Sequence, residues 1–114
     1  MAHETYQECI DACLACANEC EHCGTACLQE QDLQMLARCI QLDRDCAKIC
    51  YTAASYMASD SEFSQSVCQL CARICDACAE ECEKHAQHHD HCRACAEACR
   101  KCAQACREMA GMRA

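Results

Sequence analysis

The chain has 114 residues and a mass of 12.6 kDa, with 19 cysteines, a formal net charge of −8, no proline and two glycines. That length fits one domain of about four helices, and the near absence of Pro and Gly excludes the turn-rich β-sandwiches and disulfide scaffolds that depend on them. An acidic chain with one Phe, three Tyr and no Trp offers no nucleic-acid surface, and no apolar run approaches the roughly 20 residues needed to cross a bilayer, so neither nucleic acid nor membrane is expected as a partner.

The first helix is predicted from Thr5, which has capping-box spacing to Glu8, to about Leu28. It carries Cys9, Cys13, Cys16, Cys20, Cys23 and Cys27, in alternating steps of four and three that mark one face of an α-helix. The second, from about Asp32 to Met57, carries Cys39, Cys46 and Cys50, with Asp43 where the same spacing calls for another cysteine. The third is expected after Ser59, whose spacing to Glu62 repeats the capping signal, and continues to about His85 with Cys68, Cys71, Cys75, Cys78 and Cys82. The fourth opens near Asp90, carries Cys92, Cys95, Cys99, Cys102 and Cys106, and stops before Gly111, which suits a C′ position. Short connections make consecutive helices antiparallel neighbours. The expected fold is therefore all-α: a single antiparallel four-helix bundle over residues 1–114 whose core is lined by cysteine.

The motif CxxCAxxC recurs at Cys13–Cys20, Cys68–Cys75, Cys75–Cys82, Cys92–Cys99 and Cys99–Cys106, and Cys20–Cys27 matches it with Gly24 in place of alanine. A small residue beside the seam lets helices approach closely enough for sulfurs on different helices to share ions. Gly24 fits that role despite the cost of about 1 kcal/mol for glycine inside a helix.

Residues four apart on a helix have Cβ atoms about 5–6 Å apart, so two thiolates can converge on one ion at roughly 2.3 Å each. Such pairs are Cys9/Cys13, Cys16/Cys20, Cys23/Cys27, Cys46/Cys50, Cys71/Cys75, Cys78/Cys82, Cys95/Cys99 and Cys102/Cys106, strung along the bundle axis. Soft thiolates in low coordination select Cu(I), whereas zinc requires four ligands in a closed tetrahedron. A monovalent ion per thiolate also leaves a dry core near neutrality, while four thiolates around each zinc leave two negative charges. Copper(I) is the expected cargo, in multiple ions per chain and on the order of one per cysteine. Protonated cysteine acting only as a small hydrophobe accounts for a few of these residues but not for 19 on the seams. The start MAHETYQECIDAC has no basic, apolar or twin-arginine signal, so a cytoplasmic location is expected. With an odd cysteine count this favours thiols or metal thiolates over a disulfide framework.

His85, His89 and His91 gather where the third and fourth helices meet, near the expected position of Cys27, and suggest a mouth that captures copper and passes it inward. A solvated polar turn is the other reading. His3 and His22 point away from the seam. Asp43 faces the core by the repeat and either ligates an ion, pairs with a base, or tilts outward. Tyr6, Tyr56, Met57, Phe63 and Met109 fall at the opposite pole as an apolar plug, and Phe63, Val67, Leu70 and Ile74 form a stripe offset from the thiols.

The CxxxC pairs on all four helices, the CxxCAxxC repeats and the histidines before Cys92 together resemble the bacterial copper storage proteins, over almost the whole chain. The resemblance implies a four-helix bundle holding many Cu(I) ions, a homotetramer, ligation mainly by CxxxC sulfurs and a histidine-bearing entrance at one end. Without a Tat signal, the chain resembles the cytosolic branch, and it is expected not to be an enzyme. A metallothionein-like zinc or cadmium buffer and a thiol redox protein are the competing functions. The latter would want one accessible, activated cysteine rather than a uniform core.

Overall fold

A computed structural model describes residues 6–111 of the chain. Four α-helices run α1 Gln7–Cys27, α2 Ala37–Ala58, α3 Ser64–Glu83 and α4 Asp90–Gly111, with a short 3-10 helix, Leu33–Leu36, leading into α2. Each is 20–22 residues long, so each measures about 30 Å at 1.5 Å per residue. The molecule is a rod, 47 × 19 × 17 Å.

Helices pack as a closed square, α1 on α2, α2 on α3, α3 on α4 and α4 on α1. Contacts between helix starts and helix ends show that neighbours are antiparallel. Cys9 near the start of α1 meets Cys106 near the end of α4, and Cys39 near the start of α2 meets Cys82 near the end of α3. Beside the thiols lie buried alanines, Ala17, Ala47, Ala72, Ala79, Ala96 and Ala103, and the larger buried side chains, Leu36 and Met57, lie near the ends of the rod. The expected all-α, antiparallel, cysteine-lined bundle is what forms.

Helix ends depart from the sequence expectation. Thr5 and its capping box lie outside the described residues, and Tyr6 precedes α1 without a side-chain cap. The predicted start of the second helix at Asp32 is instead a 3-10 turn, anchored by fully buried Leu36. Ser59 does not open α3. Its hydroxyl donates back to the Tyr56 carbonyl at 3.2 Å, and α3 begins five residues later at Ser64. The reason is the turn between them: Asp60 adopts φ 56°, Ser61 N–H bonds to Tyr56 O and Asp60 N–H to Met57 O, the paired bonds that close a helix with a left-handed residue at C′. Aspartate tolerates that conformation better than most residues. Gly111 does not serve as C′, because α4 includes it and its φ is not positive.

Outside the core, Arg100 bonds to Glu83 and Asp76, and Arg107 to Asp76, lacing α3 to α4. Such exposed pairs contribute about 0–1 kcal/mol each. Of the expected apolar plug, Met57 and Met109 are buried and Tyr6 packs against the core, whereas Tyr56 and Phe63 are exposed, the latter by 59%. Phe63 sits just outside α3, so the helix no longer directs it inward. The offset stripe splits likewise: Val67 and Ile74 pack on the core while Phe63 and Leu70 face out.

Gly24 lies against Asp43, and an alanine Cβ there would meet Asp43 Cβ at 3.6 Å and Oδ2 at 3.9 Å, both ordinary contacts. The position must be small but need not be glycine. Gly24→Ala is predicted to raise the unfolding free energy of the metal-free protein by about 0.5–1 kcal/mol through helix propensity, measured by urea denaturation under reducing conditions.

Candidate metal centre

All 19 cysteines are buried and none is in a disulfide. Their alternating spacing places every thiol on the inward stripe of its helix, and the adjacent alanines keep the helices near enough for sulfurs to meet across the axis. Across helices the Sγ atoms stand 3.4 Å apart for Cys39 and Cys82, 3.5 Å for Cys46 and Cys75, 3.6 Å for Cys16 and Cys99, and 3.6 Å for Cys13 and Cys102. Within helices, Cys71/Cys75 lie at 3.8 Å and Cys23/Cys27, Cys46/Cys50 and Cys95/Cys99 at 3.9 Å. The shortest contacts between helices are thus shorter than these contacts within CxxxC pairs.

The sulfurs consequently gather in clusters rather than in isolated two-sulfur clamps. Cys23, Cys27, Cys39 and Cys92 form one near the pole where α1 ends and α4 begins; Cys20, Cys78, Cys95 and Cys99 form another; then come Cys16, Cys20, Cys46 and Cys99; Cys16, Cys46, Cys50 and Cys75; and Cys13, Cys71, Cys102 and Cys106. Within each, the ligand atoms lie within 4.8 Å of one another, and each draws on three helices. Cys16, Cys20, Cys46 and Cys99 each belong to two of these clusters, so the three central ones overlap, and Cys102 of the Cys13 cluster adjoins them, 3.8 Å from Cys50. Cys9 closes the far end, 3.7 Å from Cys106, with Cys68 buried beside them.

Hydrogen bonding to neighbouring thiols, and then burial, push Cys50, Cys75 and Cys99 far above the ordinary thiol range. Bonds between the same thiols push others down, Cys16, Cys39 and Cys102 among them, while burial, common to all 19, favours the neutral protonated form. An arriving monovalent cation that replaces a thiol proton leaves the net charge of the core unchanged, whereas a divalent ion bound by four thiolates does not.

Asp43 occupies the seam as the repeat indicated, only 1% exposed, and does not tilt outward. Thiols of Cys78 and Cys95 each donate to its Oδ1 at 3.2 Å, with Cys82 at 3.8 Å and Cys39 donating to Oδ2 at 3.9 Å. No base pairs with it among the described residues. Burial pushes its carboxyl up to about 12, so it is a neutral acid at physiological pH. It stands between the Cys23 cluster and the deeper ones, an oxygen donor within a path of sulfur.

The three histidines do not behave alike. His91 directs Nδ1 at the sulfurs of Cys23 (3.4 Å), Cys92 (3.6 Å) and Cys27 (4.0 Å). His89 stacks on it, with ring centroids 5.3 Å apart, but its Nδ1 faces Glu30 at 3.1 Å and its Nε2 faces Asp32 at 3.3 Å. The bond to His89 holds the Asp32 carboxyl below the usual range. His85 Nε2 meets Glu81 at 3.1 Å. Burial opposes ionisation of Glu81, but its bonds to His85 and Lys84 prevail and hold it below the usual range, with Arg38 of α2 also 3.5 Å away. His22 is exposed, as expected, and His3 lies outside the described residues. The carboxylates Glu30, Asp32 and Glu81 were not singled out from sequence. The one signal for Glu30 and Asp32 is that an acidic α1–α2 connection lies at the same pole as the histidine run, while Glu81 precedes His85 by one helical turn in sequence.

A helical bundle whose whole core is a run of overlapping thiol clusters, with an imidazole turned inward at one end, defines a thiolate protein for soft metal ions. The chain belongs to the copper storage protein family, whose sequence pattern it matches over residues 2–111. A cytosolic copper storage protein from Streptomyces lividans, in a copper-loading structure with five coppers, is 41% identical and superposes with a TM-score of 0.94 over 99% of this chain and 98% of that one. The Cu(I)-bound copper storage protein BsCsp3 is 53% identical, with a TM-score of 0.86 over 92% of this chain and 98% of that one. The uncharacterized cysteine-rich protein YhjQ of Bacillus subtilis (strain 168) is 53% identical over 59 residues, 51% of this chain and 55% of that protein, so the match spans about half of that relative's length.

Asp43 also makes stability depend on pH. Its pKa in the folded chain lies far above the ordinary 3.8, so from about pH 4 upward the folded state keeps a proton that the unfolded state has lost, and stability falls as pH rises. Between pH 5 and 7.5 the reduced, metal-free protein is predicted to lose more stability than Asp43→Asn, by up to about 1.4 kcal/mol per pH unit. Urea unfolding at both pH values measures the difference, and equal slopes would contradict a neutral buried carboxyl.

Proposed function

We propose that this chain is a non-enzymatic cytosolic store that sequesters copper(I) in bulk on its 19 core thiolates. The observation that carries the proposal is the overlap of the thiol clusters: Cys16, Cys20, Cys46 and Cys99 are each shared between two of them, which suits bridging thiolates and many closely spaced monovalent ions. Each thiol that takes part exchanges its proton for copper, R–SH + Cu(I) → R–S–Cu(I) + H⁺. His91 acts as the inward-facing ligand of the entrance, with His85 and His89 flanking it, and Asp43 stands as a neutral oxygen donor between the outer and inner thiols. The cytosolic location follows the Streptomyces lividans relative, a cytosolic copper storage protein. Assembly as a homotetramer rests on the family resemblance, and exposed Leu14, Tyr51, Phe63 and Leu70 supply apolar surface for it.

A zinc or cadmium buffer is favoured only by the four-sulfur size of the clusters. Tetrahedral sites that share no sulfur limit 19 thiols to four such ions, and bridging raises that number only in part because each ion still needs four sulfurs. Copper(I) is not bound by that limit. Anaerobic titration of reduced protein with Cu(I) against a strong chromogenic Cu(I) chelator, repeated with Zn(II), separates the two. Retention of copper well beyond four ions per chain, with weaker zinc binding, is the expected result. Copper saturation at four or fewer, or displacement of copper by zinc, would overturn bulk copper storage.

A further inference from the structure

Glu30 lies in the connection after α1, at the pole where His91 faces the outer thiols. Its backbone N–H bonds to the Cys27 carbonyl at 3.1 Å, which ties the residue to the last thiol-bearing turn of α1. Its Oε2 lies 2.9 Å from His91 Nε2 and 3.1 Å from His89 Nδ1, so one carboxylate oxygen is shared by two stacked rings.

A neutral imidazole carries one N–H, and the nitrogen that holds it cannot ligate a metal. If His91 donates from Nε2 to Glu30, the lone pair of Nδ1 points at the sulfurs of Cys23, Cys92 and Cys27, at 3.4, 3.6 and 4.0 Å. In the opposite tautomer the Nε2 lone pair would face a carboxylate oxygen at 2.9 Å, two acceptors in repulsive contact, and the Nδ1 proton would block the side that faces the thiols. We propose that Glu30 is a positioning residue that fixes His91 as the Nε2–H tautomer, so that Nδ1 is open to take an incoming copper(I) ion and deliver it to Cys23, Cys27 and Cys92. This role rests on the storage function proposed above.

His89 supports the arrangement without taking part in ligation. Both of its nitrogens face carboxylates, Glu30 and Asp32, and neither faces a thiol. It therefore braces the Glu30 oxygen that His91 also meets and limits rotation of the His91 ring by stacking on it. The device is a carboxylate–histidine pair of the kind that orients metal-bound imidazoles, here placed at the start of a path rather than at a fixed site.

Two measurements test it on the full-length, reduced protein, with Glu30→Ala, Glu30→Gln and His91→Ala. Long-range proton–nitrogen NMR of the metal-free imidazoles reports the tautomer. His91 is expected as Nε2–H in the wild type and in Glu30→Gln, whose side-chain carbonyl still accepts, and as a mixture in Glu30→Ala. Anaerobic stopped-flow uptake from a chelated Cu(I) donor reports delivery. Glu30→Ala is expected to slow the first phase by about ten-fold, Glu30→Gln to stay within about two-fold of wild type, and final capacity to be unchanged in both. Uptake as slow in Glu30→Gln as in Glu30→Ala would assign Glu30 to attraction by charge and overturn the positioning role, as would an unaltered His91 tautomer in Glu30→Ala. Wild-type uptake by His91→Ala would overturn it too, yet leave storage standing so long as capacity is retained. A low copper capacity in the wild type would instead count against storage itself.

Discussion

Closeness between thiols on different helices is the constraint on which the rest of this structure depends. Sulfurs can share ions only if the helices approach, and the helices approach because the core contains almost nothing larger than cysteine and alanine along most of its length. The same economy of volume gives up packing that Leu or Ile would supply, since a buried cysteine behaves as a small hydrophobe. Sulfur contacts of 3.4–3.9 Å replace part of it. Buried thiols are uncharged while they keep their protons, and a copper(I) ion that replaces each proton leaves that charge unchanged, so the bundle avoids the cost of a buried line of anions.

The two ends of the rod are built differently. At one end buried Met57 and Met109 and half-buried Tyr6 close the core with apolar groups. At the other, His91, His89 and His85 are matched by Glu30, Asp32 and Glu81, and only His91 turns a nitrogen toward sulfur. Asp43 sits one step inside that end, accepting from the thiols of Cys78 and Cys95. From that end inward the order is carboxylate-held imidazole, outer thiols, neutral carboxyl, inner thiols. Arg100 and Arg107 of α4 with Asp76 of α3, and Glu81 of α3 with Arg38 of α2, brace the outside without entering the path.

Nearly all of the fold and the thiol lining was legible in the sequence, because a 3–4 cysteine spacing on four segments permits one inward stripe per helix and few ways to pack four of them. The position of Asp43 followed from the same register. What the spacing could not convey was anything fixed by contacts across the connections. Ser59 carries a capping pattern but is spent on closing α2, and Asp60 takes the left-handed turn usually given to glycine. Phe63 and Tyr56 count as apolar in the sequence, yet Phe63 falls on the turn before α3 and Tyr56 in the last turn of α2, and both are exposed. The unequal roles of the three histidines arise from Glu30, 61 residues before His91, a partnership that no local pattern encodes. Likewise, CxxxC pairs suggest two-sulfur clamps, and only the packing shows that sulfurs of other helices stand as close.

X-ray absorption at the copper edge of the fully loaded protein tests the central claim most directly. Copper held throughout a thiol core should give the edge of Cu(I) and a first shell made almost entirely of sulfur in low coordination, with copper–copper scattering from ions that share thiolates. A first shell dominated by nitrogen or oxygen, or isolated copper ions without copper neighbours, would contradict storage on overlapping thiol clusters.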